Sequence, residues 1–98
     1  MMSPLAQKLA THRLTLIEIA SRHGLSNVRV FGSVARAEEG ADSDIDLLVE
    51  PGPRTTLFDL AAMLDEVQAL LGESVDLVTP DGLSPRFREK VLQEARPL

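Results

Sequence analysis

The sequence predicts an α/β (α+β) fold, with a small mixed β-sheet flanked by helices in the order α-β-α-β-α-β-α. The length of 98 residues suits a single domain, which we expect to span residues 1–98. Along the chain, short runs of β-branched or alternating apolar residues alternate with longer segments whose apolar residues recur at helical spacing. Turns containing glycine or proline separate these segments, and no repeat or low-complexity linker interrupts them.

The first third of the chain predicts a long helix followed by a strand. Ser3-Pro4 is typical of a helix start and Gly24 of a helix end, so we expect a helix over about residues 4–23. Its apolar residues recur at helical spacing: Leu5, Leu9, Leu16, Ile17 and Ala20. Val28–Phe31 alternates and is β-branched, which predicts a first strand ended by Gly32-Ser33.

The middle of the chain predicts a short connection and a second strand. Residues 33–39 have the composition of a short helix or turn, and Asp42 and Ser43 are expected to shape the turn that follows. Asp44–Glu50 reads as the second strand, which Pro51-Gly52-Pro53 ends. Because the connection is short, the first two strands could run antiparallel.

The last part of the chain predicts helix, strand and helix. Thr55 or Thr56 is expected to cap a helix that ends at Gly72, and Ser74–Val78 to form the third strand. A crossover through a full helix predicts that strands two and three run parallel. Ser84-Pro85 starts a final helix to about residue 95. The side chains expected to face the core from these two helices are Leu57, Leu60, Ala61, Leu64, Val67, Leu71, Phe87, Val91 and Leu92.

Composition excludes several classes of protein. The net charge of −5 and the three aromatic residues argue against direct nucleic-acid binding, which favours basic faces and stacking platforms. The absence of cysteine excludes disulfides and thiolate metal sites. No apolar run approaches the roughly 20 residues that a membrane-spanning helix needs, and the N-terminus lacks the features of a signal peptide. We therefore expect no membrane association and a cytoplasmic location.

The most informative motif is Gly32-Ser33, ten intervening residues, then Asp44-x-Asp46. Residues at i and i+2 of a strand project to the same face, so both carboxylates face one way and Ile45 faces the other. We expect the carboxylate face to remain open to solvent or ligand. Two adjacent carboxylates repel each other unless a cation lies between them, and Mg²⁺ prefers such oxygen ligands. The motif therefore predicts a magnesium site.

Two further parts of the sequence can complete this site. Asp76 lies in SVDLV, which echoes DIDLL, and it would share the face if strand three pairs with strand two. It could then ligate a metal, in a site of the two-metal type, or take the proton from an attacking hydroxyl. Gly32 lets backbone approach a phosphate, Ser33 adds a hydroxyl and an N–H, and Arg36 can reach a triphosphate.

Each of these residues also has a structural explanation. Asp-x-Asp alone occurs at many strand ends as exposed or turn-capping acids. Ser33 could be a helix N-cap. Arg36 could form a surface ion pair with Glu38 or Glu39 that contributes little stability. The glycine turn, the spacing and the third aspartate together favour the metal-site interpretation.

The string FGSVARAEEGADSDIDLLV, with Val75-Asp76-Leu77 downstream, resembles the signature of the DNA polymerase beta-like nucleotidyltransferase superfamily. It is most similar to the minimal, MNT-type branch. The resemblance implies that Asp44, Asp46 and Asp76 are catalytic and bind the metal, and that Gly32 and Ser33 hold the triphosphate of ATP. Members of this branch are commonly paired with a helical HEPN toxin. The implied activity is transfer of AMP from ATP to a tyrosine of that toxin, which makes the protein its antitoxin.

Two alternatives to this function remain at the level of sequence. The chain could be a non-catalytic antitoxin that neutralises a toxin by binding and occlusion. It could also be a nucleotidyltransferase that modifies a small molecule such as an antibiotic. The small size of the chain argues against the second alternative, since 98 residues leave little surface to enclose an acceptor once the metal site is built. The nucleotide preference, the acceptor, the number of AMP units and the oligomeric state are not written in the sequence.

Overall fold

A computed structural model describes residues 2–40 and 43–98, so the expected role of Asp42 lies outside the described residues. Its helices are α1 (Pro4–Thr11), α2 (Arg13–Arg22), α3 (Gly32–Ala35), α4 (Leu57–Leu71) and α5 (Pro85–Glu94). Its strands are β1 (Leu25–Phe31), β2 (Ile45–Pro51), β3 (Val75–Val78) and β4 (Arg96–Pro97), and a 3-10 turn covers Pro80–Gly82. Within the described ranges, no helix has the length and apolar content needed to cross a bilayer.

The sheet is mixed and four-stranded, in the order β3-β2-β1-β4. Strands β1 and β2 pair antiparallel, and β2 and β3 pair parallel through the α4 crossover, which confirms both predicted orientations. The short strand β4 was not predicted, and it pairs antiparallel with the other side of β1. Strand β2 is therefore internal to the sheet, with β1 and β3 as its neighbours.

The first helical segment differs from the prediction because it is interrupted at His12, where φ is −101° and ψ is 13°. The result is two consecutive helices, α1 and α2, in place of one. Strand β1 also starts earlier than predicted, at Leu25, whose side chain is buried and which pairs with Pro51. A bulge follows Ser26, and Asn27 there takes a left-handed φ of 51°. Apolar pattern alone does not reveal this bulged extension.

The main core lies between one face of the sheet and the helices α2 and α4. Strand β2 contributes Ile45, Leu47 and Val49, all fully buried, as its alternation predicts. The opposite face is less open than expected, because Leu48 on that side is fully buried as well. The 3-10 turn packs against β2. The face that carries Asp46 is thus covered over part of its length.

Helix α4 begins and ends where the sequence predicts. Thr56 caps it by accepting a hydrogen bond from the Asp59 N–H, and Asp59 in turn accepts from the Thr56 N–H. Gly72 ends it in the left-handed conformation, at φ 66°. Several side chains expected in the core are exposed instead: Ile17, Leu57, Ala61, Phe87 and Leu92.

Candidate active site

The strand register brings the second and third aspartates together. Asp46 of β2 is the direct partner of Asp76 on the parallel strand β3. Neighbouring strands lie about 4.8 Å apart and in-register side chains share a face, so the two carboxylates are neighbours. Asp44 directly precedes β2 and is exposed, as is Asp76. The expected approach of Asp76 to the Asp44-x-Asp46 motif therefore occurs.

On the other side of β2, the glycine turn approaches the same carboxylate. Phe31 pairs with Asp46, and Gly32 follows it with a left-handed φ of 74°. A Cβ at Gly32 would overlap Asp46 Oδ2 and lie 3.0 Å from its Cγ. The backbone of the turn is in direct contact with the carboxylate, and only glycine allows both the φ angle and this contact.

The carboxylate of Asp46 is in an environment that disfavours its charge. Burial raises its pKa, and the negative charges of Asp76, Asp44 and Glu94 raise it further, although Arg36 acts in the opposite direction. The result is a pKa of about 6. A half-buried acid surrounded by like charges is typical of a site that binds a cation.

This donor set fits a hard divalent cation. Mg²⁺ is usually held by one or two carboxylates together with substrate phosphates, and a cation at Asp46 would remove the repulsion from its acidic neighbours. In the described part of the chain, the acidic side chains do not form a preorganised metal-coordination site. Over residues 2–40 and 43–98, no three carboxylate or imidazole groups converge on one point as they stand.

Arg36 lies at the C-terminal end of α3, where its guanidinium contacts two carboxylates. Its Nε donates to Glu38 Oε2 at 3.0 Å, which is one of the ion pairs considered from the sequence. Its Nη1 donates to Oε1 of Glu94, the last residue of α5. These partners raise the pKa of Arg36, chiefly through the hydrogen bond to Glu94. The structure thus keeps a cationic group beside the acidic cluster.

Sequence reasoning missed Glu94. Its Oε2 accepts a hydrogen bond from the Gly32 N–H at 2.9 Å, so one backbone N–H of the turn expected to approach a phosphate has a carboxylate partner. No spacing rule links a residue at the end of the last helix to a turn at the end of the first strand. Ser33 is half-buried at the second position of α3, and Phe31 occupies the N-cap position, so the N-cap explanation of Ser33 is wrong.

Comparison with known proteins gives consistent results. The family model described as "Nucleotidyltransferase domain" matches residues 14–98. A candidate protein adenylyltransferase of Methanocaldococcus jannaschii is 39% identical over 80 residues, covering 82% of this chain and 86% of that protein. The protein adenylyltransferase MntA of Thermococcus cleftensis is 36% identical over 77 residues, covering 79% of this chain and 78% of that one.

Solved structures agree with the fold. The structure of a candidate minimal nucleotidyltransferase superposes with a TM-score of 0.86 at 48% identity, covering 94% of each chain. A toxin–antitoxin crystal structure with AMP-PNP superposes with a TM-score of 0.71 at 20% identity, covering 86% of this chain and 69% of that one. At this lower identity the second likeness concerns the fold alone.

Proposed function

Because this chain belongs to the nucleotidyltransferase domain family, in its minimal branch, we propose that it transfers AMP from ATP to a hydroxyl group of a partner protein. The observation that carries the proposal is the in-register pair Asp46–Asp76, with the Gly32 backbone against Asp46. It combines a cluster of acids with a turn that permits close approach of a phosphate. We further propose that residues 1–98 act as one catalytic domain, in the cytoplasm.

In the proposed reaction, the acceptor oxygen attacks the α-phosphorus of ATP, and the bond from that phosphorus to the oxygen bridging it to the β-phosphorus breaks. Pyrophosphate leaves with the electron pair of the broken bond. Asp76, which is exposed at its position beside Asp46, accepts the proton of the attacking hydroxyl. Gly32 and Ser33 bind the β- and γ-phosphates, and Arg36 balances their charge. Most of the acceleration comes from positioning and from charge stabilisation.

Asp44 and Asp46 would hold Mg²⁺ in this scheme, and Asp76 would complete the metal-binding set. The bound ion would supply positive charge to the phosphate oxygens and to the leaving group. The raised pKa of Asp46, which stems first from burial and then from Asp76 and Asp44, supports the assignment. A cation beside Asp46 would lower this pKa and so favour the ionised carboxylate that a metal ligand must be.

We propose that the acceptor is a tyrosine of a helical HEPN-type toxin, and that this chain is the antitoxin. Relatives named protein adenylyltransferases support a protein acceptor. The exposure of Asp44 and Asp76 supports one as well, because the acidic cluster lies at the surface, where an acceptor carried on another chain can reach it.

The test is incubation of the protein with ATP labelled on the α-phosphate, Mg²⁺ and the protein encoded by the neighbouring gene, which the proposal expects to be the toxin. We expect label on a toxin tyrosine, and a loss of at least a hundredfold in the Asp44→Ala/Asp46→Ala variant. The control is Asp65→Asn, which removes one exposed carboxylate from α4 far from the site and should transfer label normally. Equal labelling by wild type and by the double variant would overturn the proposal.

The same double variant separates the alternative functions. If it still neutralises the toxin in cells, then binding suffices, and the chain acts by occlusion. If wild type labels a small alcohol or an aminoglycoside with no partner present, the acceptor is a small molecule. Only loss of both labelling and neutralisation fits the catalytic antitoxin.

A further inference from the structure

The carboxylate of Glu94 connects the last helix to the nucleotide-binding turn. Glu94 ends α5, yet its Oε2 accepts from the N–H of Gly32 at 2.9 Å and its Oε1 accepts from Arg36. The side chain is only 17% exposed, whereas that of Arg36 is 44% exposed. Both oxygens of a largely buried carboxylate are thus committed to the two ends of α3.

These contacts fix two groups relative to Asp46. Gly32 lies against the Asp46 carboxylate. The hydrogen bond from the Gly32 N–H to Glu94 therefore helps to set the position of the turn relative to Asp46. The charge of Arg36 acts on Asp46 electrostatically. The hydrogen bond from the Arg36 guanidinium to Glu94 therefore sets the position of that positive charge beside the acidic residues. Burial raises the pKa of Glu94, but the hydrogen bonds from Arg36 and Gly32 outweigh this and lower it overall. The group that holds these partners is therefore an ionised carboxylate.

We propose that Glu94 is a positioning residue for the nucleotide, holding the Gly32 turn and the Arg36 guanidinium in the arrangement that receives the triphosphate. The inference rests on the proposed function, since it concerns ATP at the same site. An arginine side chain loses rotamer freedom when it orders on a ligand, and a carboxylate that orders it beforehand improves affinity. If Glu94 served only to hold α5 against the sheet, one hydrogen bond would suffice, and neither its second carboxylate oxygen nor the Arg36 guanidinium would be needed.

The experiment measures ATP affinity in the presence of Mg²⁺ by calorimetry, which requires no transfer. We expect Glu94→Gln to weaken ATP binding about tenfold, because glutamine keeps an acceptor for Gly32 but loses the charge that holds Arg36. In steady-state transfer assays KM for ATP should rise about tenfold, with kcat within about threefold of wild type. The matched control is Glu89→Gln, an exposed position on the same helix, which should bind ATP as wild type does.

A double variant distinguishes positioning from a structural contact. If Glu94 acts through Arg36, then Glu94→Gln added to Arg36→Met should weaken ATP binding by less than twofold beyond Arg36→Met alone. If Glu94 were only a structural contact, Glu94→Gln would lower the melting temperature, and its effect on ATP affinity would multiply with that of Arg36→Met. If Glu94→Gln does not fold, Glu94→Asp keeps the charge but retracts it, and it should weaken binding about threefold.

The inference is overturned if Glu94→Gln binds ATP as tightly as wild type does. Tighter binding would also overturn it, since Glu94 would then compete with phosphate for Gly32 and Arg36. The proposed function alone would fail if the wild-type protein binds ATP and Glu94→Gln weakens that binding, but the wild-type protein labels no partner. Normal labelling with unchanged ATP affinity in Glu94→Gln would defeat this inference alone.

Discussion

At the scale of single residues, Asp46 opposes folding while it helps to form the site. It is half-buried, and its neighbours include the acids Asp76, Asp44 and Glu94, whose effect Arg36 partly offsets. Burial and these charges raise its pKa from 3.8 to about 6. A group with a raised pKa in the folded state binds a proton more tightly when folded than when unfolded. The ionised form therefore destabilises the protein near neutral pH.

This property gives a pH dependence with a definite sign. Relative to Asp46→Asn, the favourable contribution of Asp46 is complete below about pH 4 and is lost as pH rises through about 6. We expect the free energy of unfolding of wild type to fall by about 1–3 kcal/mol relative to the variant between pH 4 and 7.5. Urea unfolding of both proteins in the presence of a chelator, at several pH values, measures this difference in the free energy of unfolding. A constant difference across this range would contradict the assignment.

A second prediction at this scale concerns Gly32, which has a left-handed φ of 74° and lies against Asp46. We expect Gly32→Ala to destabilise the fold by about 2–4 kcal/mol, because the added Cβ is strained at that φ and overlaps the carboxylate. AMP transfer should fall at least tenfold even at temperatures where the variant is folded. Chemical denaturation and the labelling assay measure the two effects.

The control for this change is Gly40→Ala. Among residues 2–40 and 43–98, a Cβ at Gly40 meets no atom within 4 Å, so this substitution should alter stability by less than about 0.5 kcal/mol. If the two alanine variants were equally stable and active, the contact between Gly32 and Asp46 would have no functional weight.

At the scale of elements, helix α4 illustrates what local sequence can specify. Its N-terminus is set by Thr56 and Asp59, which satisfy each other's backbone N–H groups, and its C-terminus by Gly72. These signals span three or four residues and need no tertiary contact. The burial of side chains along the helix is not specified locally in this way, since Leu57 is 83% exposed although it belongs to the same predicted apolar face as Val67, which is fully buried.

The capping interaction gives a prediction at this scale. We expect Thr56→Ala to lower the free energy of unfolding by about 1 kcal/mol, since the N–H of Asp59 loses its partner. ATP affinity should not change, because Thr56 follows the far end of β2 from Asp46. Thermal and urea unfolding test the first expectation and calorimetry tests the second. Thr15→Ala, at an exposed position within α2, provides the comparison and should be nearly neutral.

At the scale of the whole molecule, the sheet gathers four distant parts of the chain around the first residues of the internal strand β2. The turn at Gly32, the Asp44-x-Asp46 motif, Asp76 and the end of α5 at Glu94 come together through strand pairing and helix packing. Ligand binding there should therefore stabilise the entire fold. A ligand that binds only the folded state adds free energy that grows with its concentration.

The corresponding prediction uses ATP with Mg²⁺. At about a hundred times the dissociation constant, we expect the free energy of unfolding to rise by about 2.7 kcal/mol in wild type. The Asp44→Ala/Asp46→Ala variant should gain almost none of this, while Asp65→Asn should gain it in full. Thermal unfolding with and without the nucleotide measures the shift. A gain of the same size in the double variant would place the nucleotide elsewhere on the protein.

Local sequence signals predict the strand and helix order from β1 to α5 and the parallel pairing of β2 with β3, and they allow the antiparallel pairing of β1 with β2. They also predict that Asp76 lies near Asp46 if β3 pairs with β2, which it does. These follow from periodicity, capping residues and connection length, which act over short stretches of chain. The same local rules identified Gly32 as a position for backbone contact, and the structure adds which atoms it meets.

Four features emerge only in the folded chain: the interruption at His12, the added strand β4, the burial of Leu48 and the hydrogen bond from Gly32 to Glu94. Each depends on which surfaces meet after the elements have formed, and one carboxylate at a helix end carries no local mark of a partner 62 residues away. The electrostatic environment of Asp46 has the same origin, because burial and neighbouring charge exist only once the sheet has assembled.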